Sequence, residues 1–328
     1  MNDKGYVMTG LSFLLIIPAI LLVAIFVEMT HMGGESSSLA LRSDVSFYTA
    51  KDIERNIPII GKEVLRETAN DVVESGTALE NSRTTIKNNL QARMNQVVQK
   101  YQSETGATNI TCTIHSVESS TDPWYVKINS TIYVKRSNIV HNETISQDVS
   151  LEQLKDPLPF IKCKNYGGVT HTDTRILYGS SLLNLLNAKG MANATVYENA
   201  TSPLFIKRCP YEPYTDHGNL ITLKNCIDNG YFHESADGAC FLCRLEGKAI
   251  CTHPGLETFV TPPKTTNLSL SNIFAPCSID HVLFSDTVYP GKGICYYSWK
   301  VGAKPPKTYY LNLYLDKGHR QKYGLPTY

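Results

Sequence analysis

The sequence predicts an α+β protein built as an N-terminal transmembrane helix continuing into a helical stem, an antiparallel β-sheet and a disulfide-rich C-terminal region. Three observations predict it. A charge-free apolar run opens the chain, the hydrophobic period falls from about 3.6 to 2 near residue 109, and eight of nine cysteines lie between Cys163 and Cys295. The expected organisation is a tail at 1–6, a transmembrane helix at 7–28, a stem at 36–105, a sheet at 106–160 and a cysteine-rich extracytoplasmic domain at 161–328.

From Val7 to Val27 the chain has 21 residues without a charge, between Lys4 and Glu28. As a helix at 1.5 Å per residue this is roughly 30 Å, the thickness of a bilayer core, so contact with membrane lipid through residues 7–28 is expected. Pro18 predicts a kink. No small-residue cleavage site follows the run, which argues against a discarded secretory peptide. Nine cysteines and six Asn-x-Ser/Thr sequons, beginning at Asn109, Asn129, Asn142, Asn193, Asn199 and Asn267, predict an oxidising exterior for the body of the protein. The expected location is the cell membrane, crossed once, with the N-terminus cytoplasmic and the C-terminal domain outside.

Helical periodicity follows. Ile53, Ile57, Ile60, Val64, Ala69, Val72 and Val73 form one apolar stripe, in which Pro58 predicts a bend or restart. Ile86, Leu90, Met94, Val97 and Tyr101 form a second, after a break at Ser75-Gly76-Thr77. Such stripes pack either on the chain's own globular part or on copies of itself. Then Ile110, Cys112 and Ile114, and Val126, Ile128, Ser130, Ile132 and Val134, alternate with polar residues as half-buried strands do. A third strand is expected over Ile145 to Val149, before Asp156-Pro157-Leu158-Pro159 breaks the chain.

Within the cysteine-rich region one constellation could carry chemistry: Cys240, Cys243, Cys251 and His253. Thiolates and imidazole at these spacings can hold zinc. Cys240 and Cys243 alone could instead form a redox pair, while structural disulfides are the leading expectation for these cysteines. No second CxxC completes a zinc ribbon. The chain has no Gly-x-Ser-x-Gly elbow, P-loop, dinucleotide fingerprint or His-Glu-x-x-His, so no catalytic or organic-cofactor residue is assigned. A net charge of +1, from 31 Lys+Arg against 30 Asp+Glu, supplies no field for a polyanion, so no nucleic-acid partner is expected.

Asp3-Lys4-Gly5-Tyr6 followed by the apolar run resembles the class III signal of archaeal type IV pilins and pilin-like proteins. The stretch from Ser12 to Pro18 is similar to the anchors of TadE-like pseudopilins. The resemblance implies processing between Gly5 and Tyr6 and retention of the apolar segment. It also implies association with like subunits, or a homo-oligomer, through the N-terminal helix. Gly10 stands where bacterial pilins carry an acidic fifth residue. The segments Thr201 to Tyr214, Cys240 to Cys251 and His319 to Tyr328 resemble surface proteins of methanogenic archaea. The function these readings imply is a membrane-anchored, pilin-like surface protein with a structural or adhesive role. The alternative is an anchored extracytoplasmic domain for metal binding, thiol redox chemistry or ligand binding.

Overall fold

A computed structural model of the protein describes residues 4–105, 109–191, 193–211, 214–218, 220–263, 276–286, 295–298 and 312–325. For some helix and strand residues, including 4–15 and 295–298, it describes the backbone alone. The described chain is mixed α and β, as its two hydrophobic periods predict.

Helix α1, Lys4–Ser75, is one continuous helix of 72 residues, and α2, Ser82–Thr105, follows it. Neither Pro18, the Gly33-Gly34 pair nor Pro58 breaks α1. A proline removes a single backbone hydrogen bond, and a helix this long retains the others. Its end falls where expected: Gly76, with φ 59°, takes the left-handed conformation and its N–H bonds the Val72 carbonyl.

The expectation of a membrane-spanning segment is corrected. Among the described residues no helix is long and apolar enough to cross a membrane. The apolar run is not a helix of its own but the start of α1. The membrane-anchored surface protein and its single-pass localisation, which rested on that segment, are withdrawn with it.

Three strands follow in sequence order: β1 (Asn109–Ser119), β2 (Tyr125–Arg136) and β3 (Ile139–Ser150). The two-residue link from β2 to β3 and the five-residue link from β1 to β2 are too short for parallel crossovers, so the strands meander antiparallel. β2 buries Val126, Ile128, Ser130, Ile132 and Val134, the alternation expected of it. β3 begins six residues earlier than its apolar pattern suggests. As an edge strand it keeps most inward positions only half-buried, which mutes the pattern.

Two compact units divide the chain. One comprises residues 1–54, 96–112 and 132–143, the other residues 55–95, 113–131 and 144–328. In the first, Ala50, Ile53, Val98, Ile110, Cys112, Ile132 and Val134 are buried, and Lys51 bridges Glu54 (2.7 Å) and Glu143 (3.0 Å). In the second, Ile57, Val64, Leu65, Ala69 and Val72 of α1 are buried with Ile86, Leu90 and Met94 of α2. Gly61 lets α1 approach the sheet closely, since a Cβ there would lie 2.8 Å from Ile128 Cδ1.

The remainder of the second unit is made of short elements. They are α3 (Leu158–Cys163), β4 (Thr170–His171), β5 (Arg175–Leu177), α4 (Ser181–Ala188), β6 (Thr201–Pro203), α5 (Leu220–Asn229), β7 (Phe232–Ser235), α6 (Phe241–Leu245), β8 (Gly255–Thr258), α7 (Asp280–Phe284), β9 (Cys295–Ser298), β10 (Asn312–Leu315) and α8 (Lys317–Lys322). Strands β4, β5 and β6 form one antiparallel sheet, β7 pairs antiparallel with β8, and β9 with β10.

A buried ion triad ties three of these segments together. Arg244 of α6, fully buried, donates from Nε to Asp156 Oδ1 at 2.9 Å and from Nη2 to Asp280 Oδ2 at 2.6 Å. Asp280 Oδ1 also accepts the backbone N–H of Thr258.

The disulfide-rich expectation is corrected as well. Among the described side chains, Cys112, Cys163, Cys209, Cys226, Cys240, Cys243, Cys251 and Cys277 are all free thiols. Cys209 and Cys226 bring their Sγ atoms to 3.4 Å, well beyond the ~2.05 Å of an S–S bond. The physical reason is that five of them, Cys209, Cys226, Cys240, Cys243 and Cys251, converge in two groups with imidazoles rather than in isolated pairs, while Cys112 and Cys163 are buried apart.

Candidate metal centres

Cys209, His217, Cys226 and His233 offer four ligand atoms within 4.8 Å of one another, and all four residues are buried. Local backbone geometry assembles them. Arg208 and Phe232 form a parallel bridge, so the next residue on each segment, Cys209 and His233, lies on the same side. Cys226 sits on α5, which ends at Gly230, φ 68°. The Tyr231 N–H bonds the Cys226 carbonyl and the Gly230 N–H bonds that of Ile227, the paired bonds of a Schellman cap. That cap turns the chain back so that His233 arrives seven residues after Cys226. His217 comes from the turn before α5.

The distances suit a metal. His217 Nε2 lies 3.0 Å from Cys226 Sγ and 3.5 Å from Cys209 Sγ. Tetrahedral zinc, with Zn–S near 2.3 Å and Zn–N near 2.05 Å, separates its ligand atoms by about 3.3–3.8 Å. His217 Nδ1 donates to the Tyr214 carbonyl at 2.7 Å, which leaves the Nε2 lone pair directed at the thiols. His233 is fully buried, no oxygen or nitrogen of the protein hydrogen-bonds its ring nitrogens, and the polar group facing them is the Cys209 thiol. An imidazole so placed loses its water contacts with only a thiol in replacement, unless something absent from the protein itself fills the space between it and the thiols. Tyr214, Phe259 and Tyr323 pack edge-on or tilted around its ring at 5.0–5.4 Å and fix its orientation. Within the group, Cys226 and then His217 hydrogen-bond Cys209 and pull its thiol far below the ordinary range, while Cys226 is pushed up by the same contact. Burial holds His233 toward its neutral form, and a lowered thiol beside a neutral imidazole favours metal binding.

The second group is the one legible in the sequence. The structure brings Cys240, Cys243, Cys251 and His253 together, their ligand atoms again within 4.8 Å. Cys240 is the N-cap of α6 and Cys243 lies within it, so the CxxC spacing places both thiols at one helix end. Gly247, φ 71°, repeats the cap seen on α5: the Lys248 N–H bonds the Cys243 carbonyl and the Gly247 N–H that of Arg244. His253 Nδ1 lies 3.8 Å from Cys240 Sγ and 3.7 Å from Cys243 Sγ. The Cys240 N–H and the Ser119 hydroxyl donate to Sγ of Cys251 and Cys240 respectively, at 3.2 and 3.0 Å. Hydrogen bonds from Cys240 and Cys243 hold the Cys251 thiol low. Arg83, with Nη2 3.3 Å from His253 Nε2, supplies a positive charge next to the three sulfurs. With Nδ1 on a metal, Nε2 would carry the proton and could not accept from Arg83, whose guanidinium is also held by Ser119 Oγ (3.3 Å) and Glu246 Oε1 (3.7 Å).

Two glycines make this second group geometrically feasible. A Cβ on Gly255 would fall 2.0 Å from the Gly238 carbonyl oxygen, and one on Gly238 would fall 2.4 Å from that of Leu256. Only bare backbones can cross here, two residues before Cys240 and two after His253. Gly255→Ala is therefore expected to displace His253 and remove one bound metal equivalent per chain, measured by elemental analysis, while the Cys209 group stays loaded.

The sequence pattern does not reveal the first group. Its spacings, Cys-x7-His-x8-Cys-x6-His, match no compact motif, and the only signal is the density of Cys and His between 209 and 233. Cys112 and Cys163 stand apart from both groups, and burial raises them to about 11 and about 12.

The remaining sequence-derived sites are placed as follows. Asn109, Asn142, Asn193 and Asn199 are exposed. Asn129 is half-buried, its side-chain amide donating to Ser116 Oγ, and Asn267 lies outside the described residues. Gly5 and Tyr6 lie in the first turn of α1, where the backbone alone is described.

No family model matches the chain, and neither the curated proteins nor the solved structures contain a significant match. What the residues themselves define is a class: a mixed α and β protein with several buried Cys/His clusters able to hold a metal ion.

Proposed function

We propose that the protein is a zinc-binding protein whose second unit is held in shape by two closed metal centres, Cys209/His217/Cys226/His233 and Cys240/Cys243/Cys251/His253. The observation that carries the proposal is His233: an imidazole wholly out of water that no oxygen or nitrogen hydrogen-bonds, facing the Cys209 thiol in a ring of two thiols and a second imidazole whose outer nitrogen is already engaged. Mixed thiolate and imidazole donors in groups of four select zinc over the oxygen-seeking cations. Burial of the first group leaves no open coordination position, which supports a structural rather than a reactive role. In a unit of short helices and two- to four-residue strands, such centres supply the cross-links that the expected disulfides would have supplied.

The test is elemental analysis of the purified full-length chain together with alkylation of its cysteines under native conditions near pH 8. At least two zinc per chain are expected, with Cys209, Cys226, Cys240, Cys243 and Cys251 recovered as free thiols after denaturation in chelator. Cys112 and Cys163, buried and protonated, are expected to resist the reagent until the chain unfolds. Zinc-free protein with those five cysteines in disulfides would sink the reading.

A further inference from the structure

A third cluster differs from the other two in composition and in setting. Glu257, His281 and His319 bring ligand atoms within 4.8 Å of one another, with no thiol among them. All three line a cavity of about 1480 Å³.

Two of the three ligand atoms are aimed by a partner on the far side of their group. Glu257 on β8 is 1% exposed; its Oε1 takes Lys322 Nζ at 2.9 Å and the Tyr323 hydroxyl at 2.5 Å, leaving Oε2 toward the histidines. His319 hydrogen-bonds through Nδ1 to Asp316 Oδ2 at 2.8 Å, which turns Nε2 toward Glu257 Oε2 at 3.5 Å. A carboxylate behind a histidine is the usual outer support of a metal-bound imidazole. His281, at the start of α7 and 3% exposed, directs Nδ1 to the same oxygen from 3.8 Å and lies 3.9 Å from Asp280 Oδ1, both beyond hydrogen-bond reach, so that nitrogen makes no hydrogen bond. Oxygen and nitrogen ligands on a metal at about 2.1 Å stand about 3.0–3.4 Å apart, so a small inward movement closes this triangle around an ion.

A competing position lies on the other side of the His319 ring, where Cys277 and Asp316 complete a second triple. There Nδ1 is already committed to Asp316, whereas the Glu257 side holds the unsatisfied nitrogen of His281.

We infer that Glu257, His281 and His319 form a divalent metal site with coordination positions open to the cavity, where water or a small oxygen-donor anion completes the shell. Three protein ligands of the two-histidine, one-carboxylate kind leave such positions, whereas four closed ones do not. The absence of thiolate suits zinc, manganese or ferrous iron bound exchangeably. The site is also wired to the first thiolate centre. His233 stands opposite Glu257 in the β7–β8 register, and Tyr323 packs on the His233 ring while bonding Glu257. None of the thiolate ligands takes part in it, so this site stands or falls independently of the two closed centres.

Cobalt(II) loading of the full-length chain tests it, because cobalt–thiolate sites give intense near-ultraviolet charge-transfer bands and an oxygen–nitrogen site does not. The expected result is three cobalt per chain, of which one is removed by a weak chelator such as dipicolinate with the charge-transfer bands undiminished. Addition of inorganic phosphate is expected to alter the visible spectrum of that exchangeable cobalt alone. His281→Gln is expected to lose that equivalent and keep the other two. Absence of an exchangeable equivalent in the wild type overturns the inference without any variant being needed, as does its retention in both His281→Gln and His319→Gln. An exchangeable cobalt without charge-transfer bands would support this site and overturn the thiolate centres.

Discussion

Stripping the bound metal from the native chain with a strong chelator is expected to lower its thermal midpoint by about 10–20 °C and to abolish the near-ultraviolet circular dichroism of the tyrosines around His233. The size follows from two magnitudes. Structural zinc contributes ~10–16 kcal/mol of apparent binding free energy in small metal-dependent folds, against ~5–15 kcal/mol for the whole stability of a typical domain. If only ~5 kcal/mol of it is expressed as net stability, at ~2–4 °C per kcal/mol for a unit of this size, the shift is in that range. The loss must exceed that of a simple cross-link. Removing the ion leaves His233 buried with no oxygen or nitrogen to hydrogen-bond it and two sulfurs 3.4 Å apart, one of them drawn toward its charged form. Cys226→Ser is expected to reproduce most of the effect, with one zinc equivalent lost. A chelated protein that melts within about 2 °C of the loaded one, less than the shift from ~1 kcal/mol, would show that the ligand group is held by packing alone.

Replacing Arg244 by methionine is expected to cost about 3–5 kcal/mol, read as a lower urea midpoint at unchanged slope. The guanidinium is 0% exposed and faces two carboxylates, so its removal leaves Asp156 and Asp280 buried without a counter-charge. The consequences spread, because the triad joins the helix carrying Cys243, the segment before α3 and the N-terminus of α7. Asp280 also fixes the backbone N–H groups of Thr258 and His281, and so the position of the third cluster. Arg244→Met combined with Asp156→Leu and Asp280→Asn is expected to recover a large part of the loss, since the three-residue replacement strands no charge. If Arg244→Met alone left the midpoint unmoved, the triad would be a packing feature with no electrostatic role.

Elements with a strong local period are legible in the order of residues alone. The stripe Ile53, Ile57, Val64, Ala69 and Val72 and the alternation Val126, Ile128, Ile132 and Val134 name their own buried faces, because a helix and a strand repeat at different intervals. Some positions drift: Val98 rather than Val97 is buried on α2, and Ile60 is only half-buried. The third strand shows only its last few residues in the pattern, since an edge strand needs no strong apolar face. Pro18, Gly33 and Gly34 suggest more interruption than occurs, since each weakens a helix locally without setting its length.

Cysteine count and spacing locate the chemistry but not its kind. CxxC with a nearby Cys and His is visible because a helix N-terminus assembles it locally. The first group is not, because its members come from a bridged segment, a turn, a helix and a strand that meet only after Gly230 reverses the chain. Glu257, His281 and His319, scattered over β8, α7 and α8, have no sequence signal at all.

By itself, then, the sequence determined the α+β class, the helix pair, the meandering strands and the concentration of thiols after residue 160, all of which follow from periodicity and composition. Only the tertiary structure decided how the thiols are grouped. Disulfide, metal ligand and inert buried thiol are the same residue in a sequence. They separate only through distances: a sulfur about 2 Å from one other sulfur, about 3.5 Å from several donors around a common point, or buried apart from both groups as Cys112 and Cys163 are.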